Sequence, residues 1–389
     1  MTAPLTLVVP HRPTPSRALP STWPHDTGVT AGPGDSRRPV RVYLSGVKSA
    51  THVVYAASYV RHLLSTTHGA VTLVDLGVGR FMGRANVTAQ HVRDLMPADR
   101  RLTVVAPEGA ERWQAEPGER LVYVGVGAPG IKPYLRLRNT HGLRPIHTVV
   151  IDEGIGSYGN WRTRRDACKR QGARGPWPTI RSLAVSASRG VLTRERWTLY
   201  RPTSEGWEID SRVACEFRRA STVLTSSTDS AVYLCQPWVD LGLMDEERYL
   251  AHLRDVAGAC GEAGLRFRVR PHPAEDASRY KDFEVTSAPG PGELDPQVAG
   301  AAVVLGTSST ALLNVASLFG TPAYRVAVAE LAHLDERLSS RQRSLLDAYL
   351  PTPAPVAFLT HRLARCVRSV RGTERGTDHS TGAVTHRRR

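Results

Sequence analysis

Ile146-His147-Thr148-Val149-Val150-Ile151-Asp152-Glu153-Gly154-Ile155-Gly156-Ser157-Tyr158 begins as a short apolar run and ends in two acids and a glycine. An apolar, β-branched run of this length, closed by a glycine turn, reads as a buried strand of a parallel sheet. Open α/β sheets bind ligands beyond the carboxyl ends of their strands. Asp152 and Glu153 therefore stand where a carboxylate can serve as a general base. Side chains alternate along a strand, so one of the two is expected to face a cleft and the other to support the loop. Gly154 and Gly156 permit a tight turn and close approach of a ligand. Two solvated acids at an ordinary strand end would read the same way.

Upstream of this stretch, strands are expected at Arg41–Leu44, Val71–Leu76, Leu102–Ala106 and Leu121–Val126. Helical spacing covers Thr51–Leu64 and Ala89–Leu95. Downstream, the alternation resumes with strands at Thr222–Leu224, Ala231–Leu234, Leu265–Arg270, Val285–Ala288, Ala299–Leu305 and Thr321–Val326. Helices are expected at Asp245–Cys260 and Ala311–Leu318, with Gly320 as a stop. Strands alternating with helices imply parallel βαβ units. Two such halves imply twin doubly wound domains with a cleft between them.

The reading divides the 389 residues into five parts. Residues 1–39 are rich in Pro, Ser, Thr and Gly and are expected to be disordered. Residues 40–160 form the first Rossmann-like domain and 220–358 the second. Between them, 161–219 reads as a basic insert. Residues 359–389 form a basic tail. Residues 160–219 hold fourteen Arg or Lys against six acids, with four tryptophans, and no nucleic-acid motif accompanies them. Nucleic acid is therefore not an expected partner.

The net charge of +15 favours anionic partners. Five scattered cysteines without a C-x-x-C pair point to reduced thiols and a cytoplasmic location. No apolar segment approaches the ~20 residues of a membrane span, and the N-terminus lacks the pattern of a secretory signal. Membrane contact is expected only as peripheral contact through the basic segments.

Two further stretches carry chemistry. His272 lies between Pro271 and Pro273 after a strand; a stiffened backbone there can hold an imidazole against a phosphate. Thr307-Ser308-Ser309-Thr310 lies between a strand and a helix, where free N–H groups and hydroxyls suit an anion. Plain N-capping explains one of those hydroxyls, not four. Gly125-Val126-Gly127-Ala128-Pro129-Gly130 matches the dinucleotide fingerprint in spacing. It sits late in its half, and Pro129 and Pro133 are expected to interrupt the helix it should open.

In their order and context, the acid-acid-glycine of Asp152-Glu153-Gly154, the His-Pro of His272-Pro273 and the Ser308-Ser309 pair resemble the three short motifs of bacterial sialyltransferases. The similarity is to the lipooligosaccharide sialyltransferases (glycosyltransferase family 52) and the capsular polysialyltransferases, over residues 41–358. Leu234-Cys235-Gln236-Pro237 also resembles the family. The resemblance implies an α/β, GT-B-like fold of two Rossmann-like doubly wound domains facing across a cleft. It implies CMP-sialic acid as donor, an inverting displacement without metal or other cofactor, and a glycan or glycolipid acceptor. Asp152 would be the base, with Glu153 as its substitute. His272 would hold the CMP phosphate and assist its departure, beside Pro273. Thr307, Ser308, Ser309 and Thr310 would bind the donor, and Gly154 and Gly156 would support the base. The chain contains no Asp-x-Asp pair for a diphosphate–metal clamp. The rival expectations are a GT-B transferase with another nucleotide-activated donor, and a non-catalytic protein that binds polyanions or glycans.

Overall fold

The computed structural model describes residues 36–367, apart from 78, 80–86, 107, 222–226, 228 and 287–289. The first sheet has six strands: β1 (Val40–Ser45), β2 (Val71–Asp75), β3 (Leu102–Val105), β4 (Arg120–Val126), β5 (Ile146–Ile151) and β6 (Glu195–Trp197). They lie in the order β3-β2-β1-β4-β5-β6, every pairing parallel. This is the strand order of a doubly wound dinucleotide-type sheet. The central strands β1, β4 and β5 are buried nearly throughout, which explains their continuous apolar runs.

Helices α1 (Ala50–Thr66), α2 (Ala89–Leu95) and α3 (Ile131–His141) connect the strands of this sheet. Between β5 and β6 the chain forms a helical hairpin, α4 (Trp161–Arg170) and α5 (Trp177–Leu192). A small antiparallel pair follows, β7 (Tyr200–Thr203) and β8 (Gly206–Ile209), and then α6 (Ser211–Ala220). The basic stretch 161–219 is therefore built into the first unit. Its β6 extends the sheet, and its α6 lies on α1, where Glu216 accepts from Arg61 Nε at 2.5 Å and Phe217 meets Tyr55 edge-on. Arginines dominate its surface, but Trp197, Val213 and Phe217 face inward and tie it down.

The second sheet runs β10-β9-β11-β12, all parallel, from β9 (Ser230–Leu234), β10 (Arg266–Arg270), β11 (Val303–Gly306) and β12 (Ala323–Arg325). Its helices are α7 (Glu246–Glu262), α8 (Pro296–Ala299) and α9 (Thr310–Asn314), which continues as a π-helical turn to Phe319. Gly320, at φ 69°, ends that segment as expected. Helices α10 (Ala332–Glu336) and α11 (Ser340–Tyr349) follow. Of the strand expected at Val285–Ala288, Val285 forms a bridge with Val269, and 287–289 lie outside the described residues. The strand expected at Thr222–Leu224, most of the N-terminal segment and the tail beyond 367 also lie outside them. Residues 359–367 are helical, and Leu359 and Leu363 are buried in the second core. The first part of the segment read as a tail thus belongs to that core.

The two sheets point their carboxyl edges at one cleft, which is the GT-B arrangement. The units are packed closely, since Val149 and Ile151 of β5 share a core with Val232, Leu312, Leu313 and Leu345 of the second half. Helix α11 returns to the first unit, where Gln342 donates to the Ile155 carbonyl at 3.1 Å.

Candidate active site

The cleft encloses about 1280 Å³, ample for a nucleotide-sugar-sized ligand. Its first wall is formed by the loops after β1, β4 and β5, and its second by those after β9, β10 and β11. Glu153, Gly154, Gly156, His272, Pro273 and all of Thr307–Thr310 line it. Asp152 does not.

The stretch around Asp152 folds on itself. Asp152 is fully buried, and its Oδ2 accepts from the Tyr158 hydroxyl at 2.6 Å and from Leu199 N at 3.0 Å. Burial raises its pKa to about 6, against the opposing pull of the Tyr158 bond. Asp152, expected as the base, is thus held inside the turn by Tyr158 and Leu199, and the carboxylate that lines the cleft is that of Glu153. Strand alternation separates the two acids as expected, but with Glu153 outward. The Glu153 backbone N–H donates to Ser157 Oγ at 2.9 Å.

The space around Glu153 is kept by glycines. A Cβ on Gly127, at φ 69°, would lie 2.5 Å from the Glu153 carboxylate, and one on Gly156 would lie 3.1 Å from Oε1. The Gly125–Gly130 loop thus clears room for this side chain. Its prolines do not interrupt a helix: α3 opens at Ile131 with Pro133 in the first turn, where a missing N–H costs nothing. Arg164 Nη2 of α4 lies 3.4 Å from Glu153 Oε1. His52, in the first turn of α1, hydrogen-bonds the Glu153 backbone, and burial lowers its pKa to about 4. Its Nδ1 accepts from Lys48 N at 3.1 Å.

On the second wall, His272 Nδ1 accepts from Ala274 N at 3.1 Å, which leaves the ring proton on Nε2. Burial holds its pKa down to about 4, so the ring is neutral near pH 7. Glu275 fixes the loop by accepting from His272 N at 2.8 Å and from the Tyr280 hydroxyl at 2.7 Å. Burial raises the pKa of Glu275 to about 7.

The four hydroxyls differ in what they can do. Ser309 caps α9 by accepting from Leu312 N at 3.2 Å, and its own proton is still available. Ser308 donates to Asp335 at 2.6 Å, so it has no proton to offer an anion. Thr310 accepts from Ile155 N of the opposite wall at 3.0 Å. Thr307 Oγ1 is buried with no hydrogen-bond partner.

Arg270, just upstream of His272 in the sequence, donates to the Gly290 carbonyl, whereas sequence reasoning did not single out Thr51 and Glu293, which bond across the units at 2.9 Å. Nothing in their local spacing marks a contact made 242 residues away in the chain. Among the described residues, no three His, Cys, Asp or Glu side chains are grouped to hold a metal ion, and no helix is long and apolar enough to cross a membrane.

No family profile matches the chain, and no curated protein does. Among solved structures it is similar to a glycotransferase of kitacinnamycin, with 11% identity over 88% of this chain and 98% of that one, at a TM-score of 0.45. It is also similar to a putative UDP-N-acetylglucosamine 2-epimerase from Listeria monocytogenes, with 7% identity over 89% and 98% and a TM-score of 0.47. An E. coli heptosyltransferase aligns at 14% identity over 86% and 100%, at a TM-score of 0.36. At this level of identity likeness concerns the fold alone, and the GT-B architecture rests on the two sheets described above.

Proposed function

We propose that the chain is a glycosyltransferase that moves a sugar from a nucleotide-activated donor to a hydroxyl acceptor in this cleft. One observation carries the reading: Glu153, His272 and the Thr307–Thr310 turn come from two different sheets and line one cavity. Glu153, the cleft-facing carboxylate, takes the acceptor proton as the acceptor oxygen attacks the anomeric carbon. The bond to the donor phosphate breaks on the opposite face, inverting the centre. Charge then gathers on that phosphate, where the His272 Nε2–H and the Thr307 and Ser309 hydroxyls donate to it. Ser308 instead holds Asp335. The donor we propose is CMP-sialic acid or a related CMP-linked acid, on the strength of the motif resemblance. Its single phosphate suits a neutral imidazole beside a helix start.

Calorimetric titration with CMP, CMP-sialic acid, UDP and NAD tests the donor. Micromolar binding of the CMP compounds with loss in His272→Ala is the expected result. Binding confined to UDP would move the donor to a nucleoside diphosphate sugar while keeping the transferase; binding confined to NAD would overturn the reading.

A further inference from the structure

Among the described residues, none covers the outer face of α5. Trp177, Ile180, Leu183 and Val191 are 59%, 53%, 49% and 74% exposed, whereas Pro178, Ser182, Ser188 and Arg189 on the other side are buried. Ile131 and Leu135 of α3 are also exposed, and Ser188 of α5 donates to the carbonyl of Pro129, in the loop that leads into α3, at 3.3 Å. Soluble proteins seldom leave a contiguous apolar face of this kind without a binding role. Ile131, Trp177 and Ile180 also line the cleft, so whatever covers the face sits at the cleft mouth.

Charge identifies the occupant. Residues 161–192 carry eight Arg or Lys and one acid, Asp166, which is already engaged by Arg165 at 2.9 Å. Exposed Lys169, Arg174 and Arg181 rim the stripe on the hairpin, and exposed Lys132 and Arg136 rim it on α3. An apolar helix face with tryptophan at one end and a cationic border is the pattern of a helix lying in a lipid interface. A second copy would set two cationic rims against each other, which disfavours a homodimer. We infer that the α3–α5 face docks on an anionic lipid bilayer and holds the mouth of the cleft at its surface. This inference is independent of the reaction assigned to the cleft.

The test uses the full chain and vesicles of phosphatidylcholine with or without phosphatidylglycerol. Sedimentation is expected to show binding to the phosphatidylglycerol vesicles at least tenfold tighter than to phosphatidylcholine alone. Ile180→Ser with Leu183→Ser, and separately Arg174→Glu with Arg181→Glu, should each weaken it at least tenfold with unchanged thermal melting. Brominated acyl chains should quench tryptophan emission in the parent and quench it much less in Trp177→Phe, a variant that keeps an interfacial ring. The inference fails if these variants bind like the parent, if quenching is the same in Trp177→Phe, or if the parent ignores the vesicles. It fails equally if centrifugation finds a dimer that the serine variant dissolves, since the face would then belong to a second copy.

Discussion

Thr310 Oγ1, in the second unit, accepts a hydrogen bond from the backbone N–H of Ile155, in the first, at 3.0 Å. The approach is possible because the residue before Ile155 is Gly154. Its φ is 96°, and a Cβ there would lie 2.5 Å from that same Thr310 oxygen. One glycine therefore lets two chain segments, 155 residues apart, meet at the floor of the cleft. Gly154→Ala combines backbone strain with a clash and is expected to cost about 2 kcal/mol or more. Thr310→Val removes only the acceptor and should cost about 1–2 kcal/mol. Urea unfolding at constant m-value measures both; a Gly154→Ala variant as stable as the parent would refute the close approach.

The two adjacent acids should separate cleanly under mutation. Glu153→Gln removes the cleft-facing base and is expected to lower kcat by roughly 10²–10⁴, with stability unchanged. Asp152→Asn keeps an acceptor for Tyr158 and Leu199 and should retain activity to within several-fold. Asp152→Ala leaves both donors buried and unpaired, at a cost of about 2–4 kcal/mol. The measurement is kcat beside an unfolding curve for each variant. Loss of turnover in Asp152→Asn, with Glu153→Gln active, would reverse the assignment.

Much of this site was legible in the residues. Val71–Asp75 and Ile146–Ile151 are apolar because both faces of their strands are covered, so the strands could be read from local pattern. The alternation of Asp152 and Glu153 was readable too, but not which one faced out. That choice depends on Tyr158 and Leu199, whose donors converge on Asp152 only once β6 and the chain beyond it pack against β5. The stretch 161–219 read as an insert because its arginines hide the few inward positions. The Gly125–Gly130 loop matched a nucleotide fingerprint by spacing, whereas its glycine at 127 answers to a carboxylate 26 positions on. Tertiary contacts of this kind leave no local periodicity.

Four buried titratable groups around the cleft act on stability in opposite directions. His52 and His272 have folded pKa values lowered to about 4, from 6.5. Their contribution is present above pH 6.5 and is lost as pH falls toward 4, because the unfolded chain binds their protons first. Asp152 and Glu275 have values raised to about 6 and about 7, from 3.8 and 4.5. Their contribution is full below about pH 4 and is lost as pH rises through 6 to 7, because here the folded chain binds protons first. The pairs offset each other, so these groups leave stability nearly level between pH 7 and 4.5. His272→Asn removes one acid-sensitive member and should shift the difference between those pH values by about 2 kcal/mol in favour of pH 4.5. Glu275→Gln should shift it by a comparable amount the other way. Unfolding free energies at the two pH values check both signs.

Thr307 offers a test in which binding and stability part company. The residue lines the cleft, and its hydroxyl is buried without a hydrogen-bond partner. A buried unsatisfied polar atom costs about 1–3 kcal/mol, so Thr307→Val, nearly equal in volume, should leave stability unchanged or raise it by up to about 1 kcal/mol. If the same hydroxyl donates to the donor phosphate, its removal should weaken donor binding by roughly 5- to 30-fold, the loss of about 1–2 kcal/mol for a bond to a charged group. Calorimetric titration of CMP against parent and variant, beside their unfolding curves, reads both quantities. A more stable variant with weaker nucleotide binding is the expected pair of results. A less stable variant with unaltered binding would assign Thr307 to the packing of the β11–α9 turn and remove it from the site.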